Sequence, residues 1–139
     1  MNVRDVCLGA ASLVVVSVAP VCAGPLDLPT AKQTKAGLYL TAAEAAEFLD
    51  AKDALFVDVR SRAEVSFLGL PTRVDVHIPF MTLPGFPEFD PAKGTYKLES
   101  NMDFADVFLR YASDHQVGPD NPIILICRSG SRSASAANL

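Results

Sequence analysis

Seven consecutive residues carry the strongest chemical signal in this chain: Cys127-Arg128-Ser129-Gly130-Ser131-Arg132-Ser133. A cysteine is a strong nucleophile once ionised, and its reactivity follows its thiolate character. The neighbours of Cys127 favour the ion. Gly130 lets the backbone curl without a Cβ clash. A curled loop running into a helix can aim several amide N–H groups at one point, forming a nest for an anion. Arg128 and Arg132 add positive charge, and the hydroxyls of Ser129, Ser131 and Ser133 add hydrogen-bond donors. The expected site has Cys127 as the catalytic nucleophile. Arg128, Ser129, Gly130, Ser131, Arg132 and Ser133 are expected to bind an anionic substrate beside it.

The loop needs a scaffold on both sides. Ile123-Ile124-Leu125-Ile126 precedes it, an apolar run that suits a strand buried on both faces. Residues 133–138 follow it as the opening of a helix. Ligands bind beyond the carboxyl ends of strands in open α/β sheets, and Cys127 stands in that place. Ala54 to Val59 forms a second buried strand. Val74, Val76 and Ile78 alternate with polar residues as a half-buried strand, closed by Pro79. Thr41-Ala42-Ala43-Glu44 is a capping box opening a helix over 42–51. A second helix is predicted over 60–67, and a third over 103–115 with Phe104, Val107, Phe108 and Tyr111 on its core face. Residues 82–100 are rich in Pro, Gly and charge and read as a long loop. Strands alternating with helices imply an α/β fold around a mostly parallel sheet flanked by helices.

Composition narrows the function classes. A net charge of -4 gives no basic excess to neutralise phosphates, so nucleic acid is not an expected partner. Residues 1–23 read as a cleaved secretory signal: Arg4, an apolar stretch from Val6 to Val18, and small-residue exit at Val21-Cys22-Ala23. That places the mature chain in the periplasm or outside the cell, with no membrane attachment after cleavage. Cys7 and Cys22 leave with the signal, so Cys127 remains as an unpaired thiol, which in an oxidising compartment invites a reactive role. Residues 24–37 read as a linker, and residues 38–139 as one domain.

The loop resembles the active-site loop of rhodanese-like sulfurtransferases. Phe56-Val57-Asp58-Val59-Arg60 with Glu64 resembles the strand-then-helix signature of that family, and Ile78-Pro79 resembles the pair that ends its next strand. The resemblance spans about Leu40 to Leu139. It implies a three-layer rhodanese-like fold and a cycle in which Cys127 takes sulfur from a small anionic donor such as thiosulfate. The resulting persulfide would pass its sulfur to cyanide, a thiol or an acceptor protein, with neither metal nor organic cofactor. Two departures stand out. The family's histidine before the second strand is missing from Gly69-Leu70-Pro71-Thr72-Arg73-Val74, and the family normally continues past the helix after the loop, so the C-terminal part reads as incomplete.

Other readings compete. A persulfide carrier or sulfur-delivery module would use the same cysteine without turnover. A cysteine phosphatase or arsenate reductase-like enzyme is disfavoured by spacing, because Cys127 to Arg132 is C-x4-R where phosphatases use the longer C-x5-R. An acyl-transferring cysteine enzyme would need a histidine base, and neither His77 nor His115 lies in a suitable motif. Both histidines read as ordinary surface or strand residues. Asp58 and Arg60 read as tying the strand end to nearby backbone rather than as a catalytic pair. Glu64 is expected to pair with Arg60 or Arg62 on the helix surface. Phe80, Phe86 and Phe89 fit either core plugs or the site mouth.

Overall fold

The computed structural model describes residues 28–139. The expected signal, 1–23, lies outside the described residues, as does the first part of the expected linker.

Thr41 and Glu44 form the capping box that the sequence indicates. The Glu44 amide donates to Thr41 Oγ1 at 3.2 Å, and the Thr41 amide donates to Glu44 Oε2 at 2.6 Å. This starts α1, Ala42–Ala51. The chain then enters β1, Leu55–Asp58, the centre of a three-stranded sheet. Its neighbours are β2, Val76–His77, and the strand Ile123–Ile126, both parallel to it. Leu55 stands opposite Ile123 and Asp58 opposite Ile126, so the two apolar runs lie in register along their whole length.

Strand residues alternate between faces, and the core divides accordingly. Val57, Val59 and Ile78 face one side, where they meet Phe104 and Ala136. Phe56 and Ile124 face the other, where they meet Ala45, Phe48 and Leu49 of α1. Helices on both faces of a parallel sheet make a three-layer α/β domain. On the first side lie α3, Phe104–Asp114, and α4, Ser131–Ala137. Between β1 and β2 runs α2, Arg62–Leu68, stopped by Gly69 at φ 72°.

The structure differs from the sequence expectations in three places. Residues 82–100 are not a bare loop. Met81–Thr82 (β3) pairs antiparallel with Glu99–Ser100 (β6), and Phe89–Asp90 (β4) with Thr95–Tyr96 (β5). Ladders this short leave no periodic trace in sequence. Ile123–Ile126 is therefore β7. The expected strand 74–78 forms ladder pairs only at Val76 and His77. Flanking residues still bond to β1: the Asp75 amide donates to Phe56 O at 2.9 Å and the Ile78 amide to Asp58 O at 3.0 Å.

The third difference is the expected linker. Over its described part, from Leu28 to Gly37, it is a strap fastened to the end of α4. It contains a 3-10 turn, Thr30–Lys32. Asn138 ties it down: the Lys35 amide donates to Asn138 Oδ1 at 2.7 Å, and Asn138 Nδ2 donates to Gln33 O at 3.0 Å. Lys35 Nζ donates to Asn138 O at 2.7 Å. Small polar residues read as spacer in the sequence because their partners lie 103 and 105 positions away. Among the described residues no helix is long and apolar enough to cross a membrane.

The strap predicts a local effect. Asn138→Ala removes two side-chain hydrogen bonds at an exposed site, each contributing about 1 kcal/mol. Hydrogen exchange at the Lys35 amide should rise roughly tenfold, while global unfolding in denaturant shifts by no more than about 2 kcal/mol.

Candidate functional site: a cysteine held by loop amides

β7 ends at Ile126, and its carbonyl accepts from the Val59 amide at 2.9 Å. Cys127 is therefore the first residue past the carboxyl edge of the sheet, beside the end of β1. The next residues turn sharply, and Gly130 takes φ 94° and ψ -22°, a left-handed conformation that costs a residue with a Cβ about 1 kcal/mol or more. That turn points the Gly130 amide back at the sulfur, 3.1 Å from Cys127 Sγ. It also makes Gly130 the N-cap of α4, whose first turn closes with the Ala134 amide donating to Gly130 O at 3.0 Å. The helix begins two residues earlier than the sequence suggests. Ser131, Arg132 and Ser133 thus belong to its first turn rather than to the loop.

Ser133 is brought under the sulfur by that early start. Its Oγ lies 3.4 Å from Cys127 Sγ and 3.0 Å from Gly130 O. A hydroxyl has one proton for these two neighbours. With a neutral thiol, Ser133 donates to the Gly130 carbonyl and accepts from the S–H. With a thiolate, it turns its proton to the sulfur. Burial by itself pushes the Cys127 thiol up. The Ser133 hydroxyl outweighs burial together with the amides of Ser133, Ser129 and Gly130, and the net result lies below the ordinary thiol value. The sulfur is half-buried and remains reachable.

The two loop arginines part company. Arg128 is exposed, as is Ser129. Arg132 faces Glu64 of α2 in a two-pronged ion pair, with Nη1 to Oε2 at 2.5 Å and Nη2 to Oε1 at 2.7 Å. Both side chains are largely shielded from water, at 12% and 19% exposure. Arg132 is thus a clamp between α4 and α2, and its charge is already matched. This corrects two expectations. Arg132 does not stand open as a free loop cation but is met by a carboxylate, and Glu64 pairs with Arg132 rather than with Arg60 or Arg62. The partners are 68 residues apart, so no local pattern reveals the pair.

Glu64 has a second task. It closes a capping box on α2, accepting from the Ser61 amide at 2.9 Å and the Ser61 hydroxyl at 2.8 Å. Arg132, ahead of these Ser61 bonds, holds the Glu64 carboxyl down to about 2 against the opposing effect of burial. Beside it, Asp58 is fully buried and grips Arg60. Arg60 Nε lies 3.0 Å from Oδ1 and 2.8 Å from Oδ2, and Nη2 reaches on to Gly69 O at 2.8 Å. These two residues tie the end of β1 to the end of α2. His77 Nε2 donates to Arg60 O at 2.8 Å, an anchoring role that its place in an alternating strand did not disclose.

Phe80 packs edge-on against Phe104 at 5.2 Å and is a core plug, whereas Phe86 is exposed. Phe89 packs on Tyr96 within the β4–β5 ladder at 5.4 Å. Two hollows of about 330 and 260 Å³ open where β1 begins, lined by Asp53, Ala54 and Asp75. Neither reaches Cys127, which sits at the opposite edge on an open loop. Among the described residues no His, Cys, Asp or Glu side chains gather in threes to hold a metal ion.

A three-layer α/β domain with an amide-cradled cysteine past its central strands defines a class of cysteine-loop proteins. Residues 41–139 match the model of the rhodanese-like domain, and the chain belongs to that family. The family fits the sulfurtransferase superfamily, and its domain also occurs in other roles. Searches of curated proteins and of solved structures gave no match.

The clamp sets a pH dependence. The Glu64 carboxyl is depressed in the folded chain, so its contribution is complete above the unfolded value of about 4.3 and is lost as pH falls through about 2. Glu64→Gln should cost roughly 2 kcal/mol at pH 7 by denaturant unfolding. The difference between variant and parent should shrink steadily below about pH 4.

Proposed function

We propose that this protein is a sulfurtransferase that carries sulfane sulfur on Cys127. The hydrogen bond from the Gly130 amide to Cys127 Sγ supports this reading more than any other observation. A donor aimed at the sulfur is what a loop built to hold negative charge on sulfur requires. The Ser133 hydroxyl completes the cradle.

The reaction follows in two displacements. The Cys127 thiolate attacks the outer sulfur of thiosulfate or a similar donor. An Sγ–S bond forms, the donor's S–S bond breaks, and its electron pair leaves on sulfite. The terminal sulfur of the new persulfide carries the charge, and the same loop amides can stabilise it. An acceptor then attacks that terminal sulfur, and the electron pair returns to Sγ as thiolate. With cyanide the product is thiocyanate. A thiol or an acceptor protein would react in the same way. Arg128 is exposed at the loop and forms no ion pair among the described residues, so it is the loop cation open to the donor. The C-x4-R loop length favours a sulfur at the cysteine over an enclosed phosphate. No step calls for a metal or an organic cofactor.

We also propose the periplasm or the cell exterior as its place of action, on the strength of the signal-like residues 1–23. A lone reactive thiol in that setting suits a sulfur carrier exposed to small anionic donors.

Thiocyanate formation from thiosulfate and cyanide tests the proposal. The chain should turn over, Cys127→Ser should lose roughly a thousandfold or more, and mass spectrometry should find one added sulfur on Cys127 after thiosulfate alone. Added sulfur without turnover would replace the enzyme reading with that of a persulfide carrier. Equal thiocyanate from parent and variant would overturn both.

A further inference from the structure

We propose that Lys32, carried in by the amino-terminal strap, is a specificity-determining residue that draws anionic sulfur donors to Cys127. The identity of the anion rests on the sulfurtransferase reading, while the charge selectivity does not.

The strap packs its 3-10 turn against α4 and is locked by Asn138. This lays the Lys32 side chain along Gly130. Lys32 Cδ and Cγ stand 3.6 and 3.8 Å from the place a Cβ on Gly130 would occupy. Gly130 is the residue whose amide holds Cys127 Sγ. The methylenes therefore pack on the loop's glycine, and the ammonium follows Cδ at the end of the same side chain, within a short reach of the loop. A half-buried lysine with a packed stem and a hydrated head has this form.

Charge matching makes Lys32 matter. Glu64 has neutralised Arg132, the cation that the loop itself places nearest the cradle. Lys35 in the same strap is held by Asn138 O. Lys32 forms no ion pair among the described residues. An unmatched cation beside a reactive thiolate raises the local concentration of anionic reagents and lowers their repulsion by the sulfur. It does nothing comparable for a neutral reagent.

Paired alkylating reagents measure this directly. Iodoacetate is an anion and iodoacetamide is neutral. Each is attacked by the thiolate at carbon, forming an S–C bond and releasing iodide. Lys32→Met keeps the methylene packing on Gly130 and removes the charge. The variant's iodoacetate rate should fall about 5-fold, with the iodoacetamide rate within about 2-fold of the parent. Lys32→Arg should restore the iodoacetate rate. High salt, which screens Arg128 as well, should bring the parent's rate ratio down to that of Lys32→Met or below. Equal changes with both reagents would mean that Lys32 acts only through packing, and no change with either would mean that it does not act; both overturn the inference. A chain with the charge selectivity but no thiocyanate formation sinks the sulfurtransferase reading alone. A chain that makes thiocyanate without the selectivity sinks the role of Lys32 alone.

Discussion

One contact governs this site: the Gly130 amide donating to Cys127 Sγ. Removing a sulfur anion partly from water is unfavourable, and only donors aimed at it can offset that. Apart from the Ser133 hydroxyl, the donors here are main-chain groups, so their aim depends on backbone conformation rather than on side-chain rotamers. Gly130 supplies the aim through a left-handed turn that few other residues accept. The same turn starts α4 early enough to bring Ser133 beneath the sulfur. Cradle and helix start are one feature.

A turn of this kind needs rigid flanks. Upstream, β7 is held in register along β1. Downstream, the first turn of α4 is clamped to α2 by Arg132 and Glu64, and Glu64 is itself held by the cap of α2. Asp58 and Arg60 fasten the neighbouring strand end in a parallel way. Two carboxylates and two guanidiniums thus cancel in pairs behind the sulfur. Those two guanidiniums are matched, whereas Arg128 of the loop and Lys32 of the strap form no ion pair among the described residues.

The legible parts of this molecule are those written in contiguous residues. Ile123 to Ile126 and Ala54 to Val59 announce buried strands because their apolar runs are continuous. Thr41 to Glu44 announces a helix start because both capping partners lie within one turn. Cys127 with Gly130 announces the site because loop chemistry is local. The illegible parts depend on distance or on brevity. Nothing near Glu64 points to Arg132, and nothing near Lys35 points to Asn138. The ladders between 81 and 100 pair only two residues each, too few to show alternation. The sequence places the start of α4 two residues late because Gly130 signals loop freedom, whereas it also caps the helix.

The ionisation of Cys127 tests this account most directly. Ultraviolet absorbance of the thiolate across a pH titration should give a midpoint below the ordinary thiol value of about 8.5. Ser133→Ala should move that midpoint upward, because the hydroxyl proton that follows the charge is gone. A midpoint at or above the free-thiol value in the parent chain, unmoved by loss of the Ser133 hydroxyl, would contradict the cradle and the chemistry built on it.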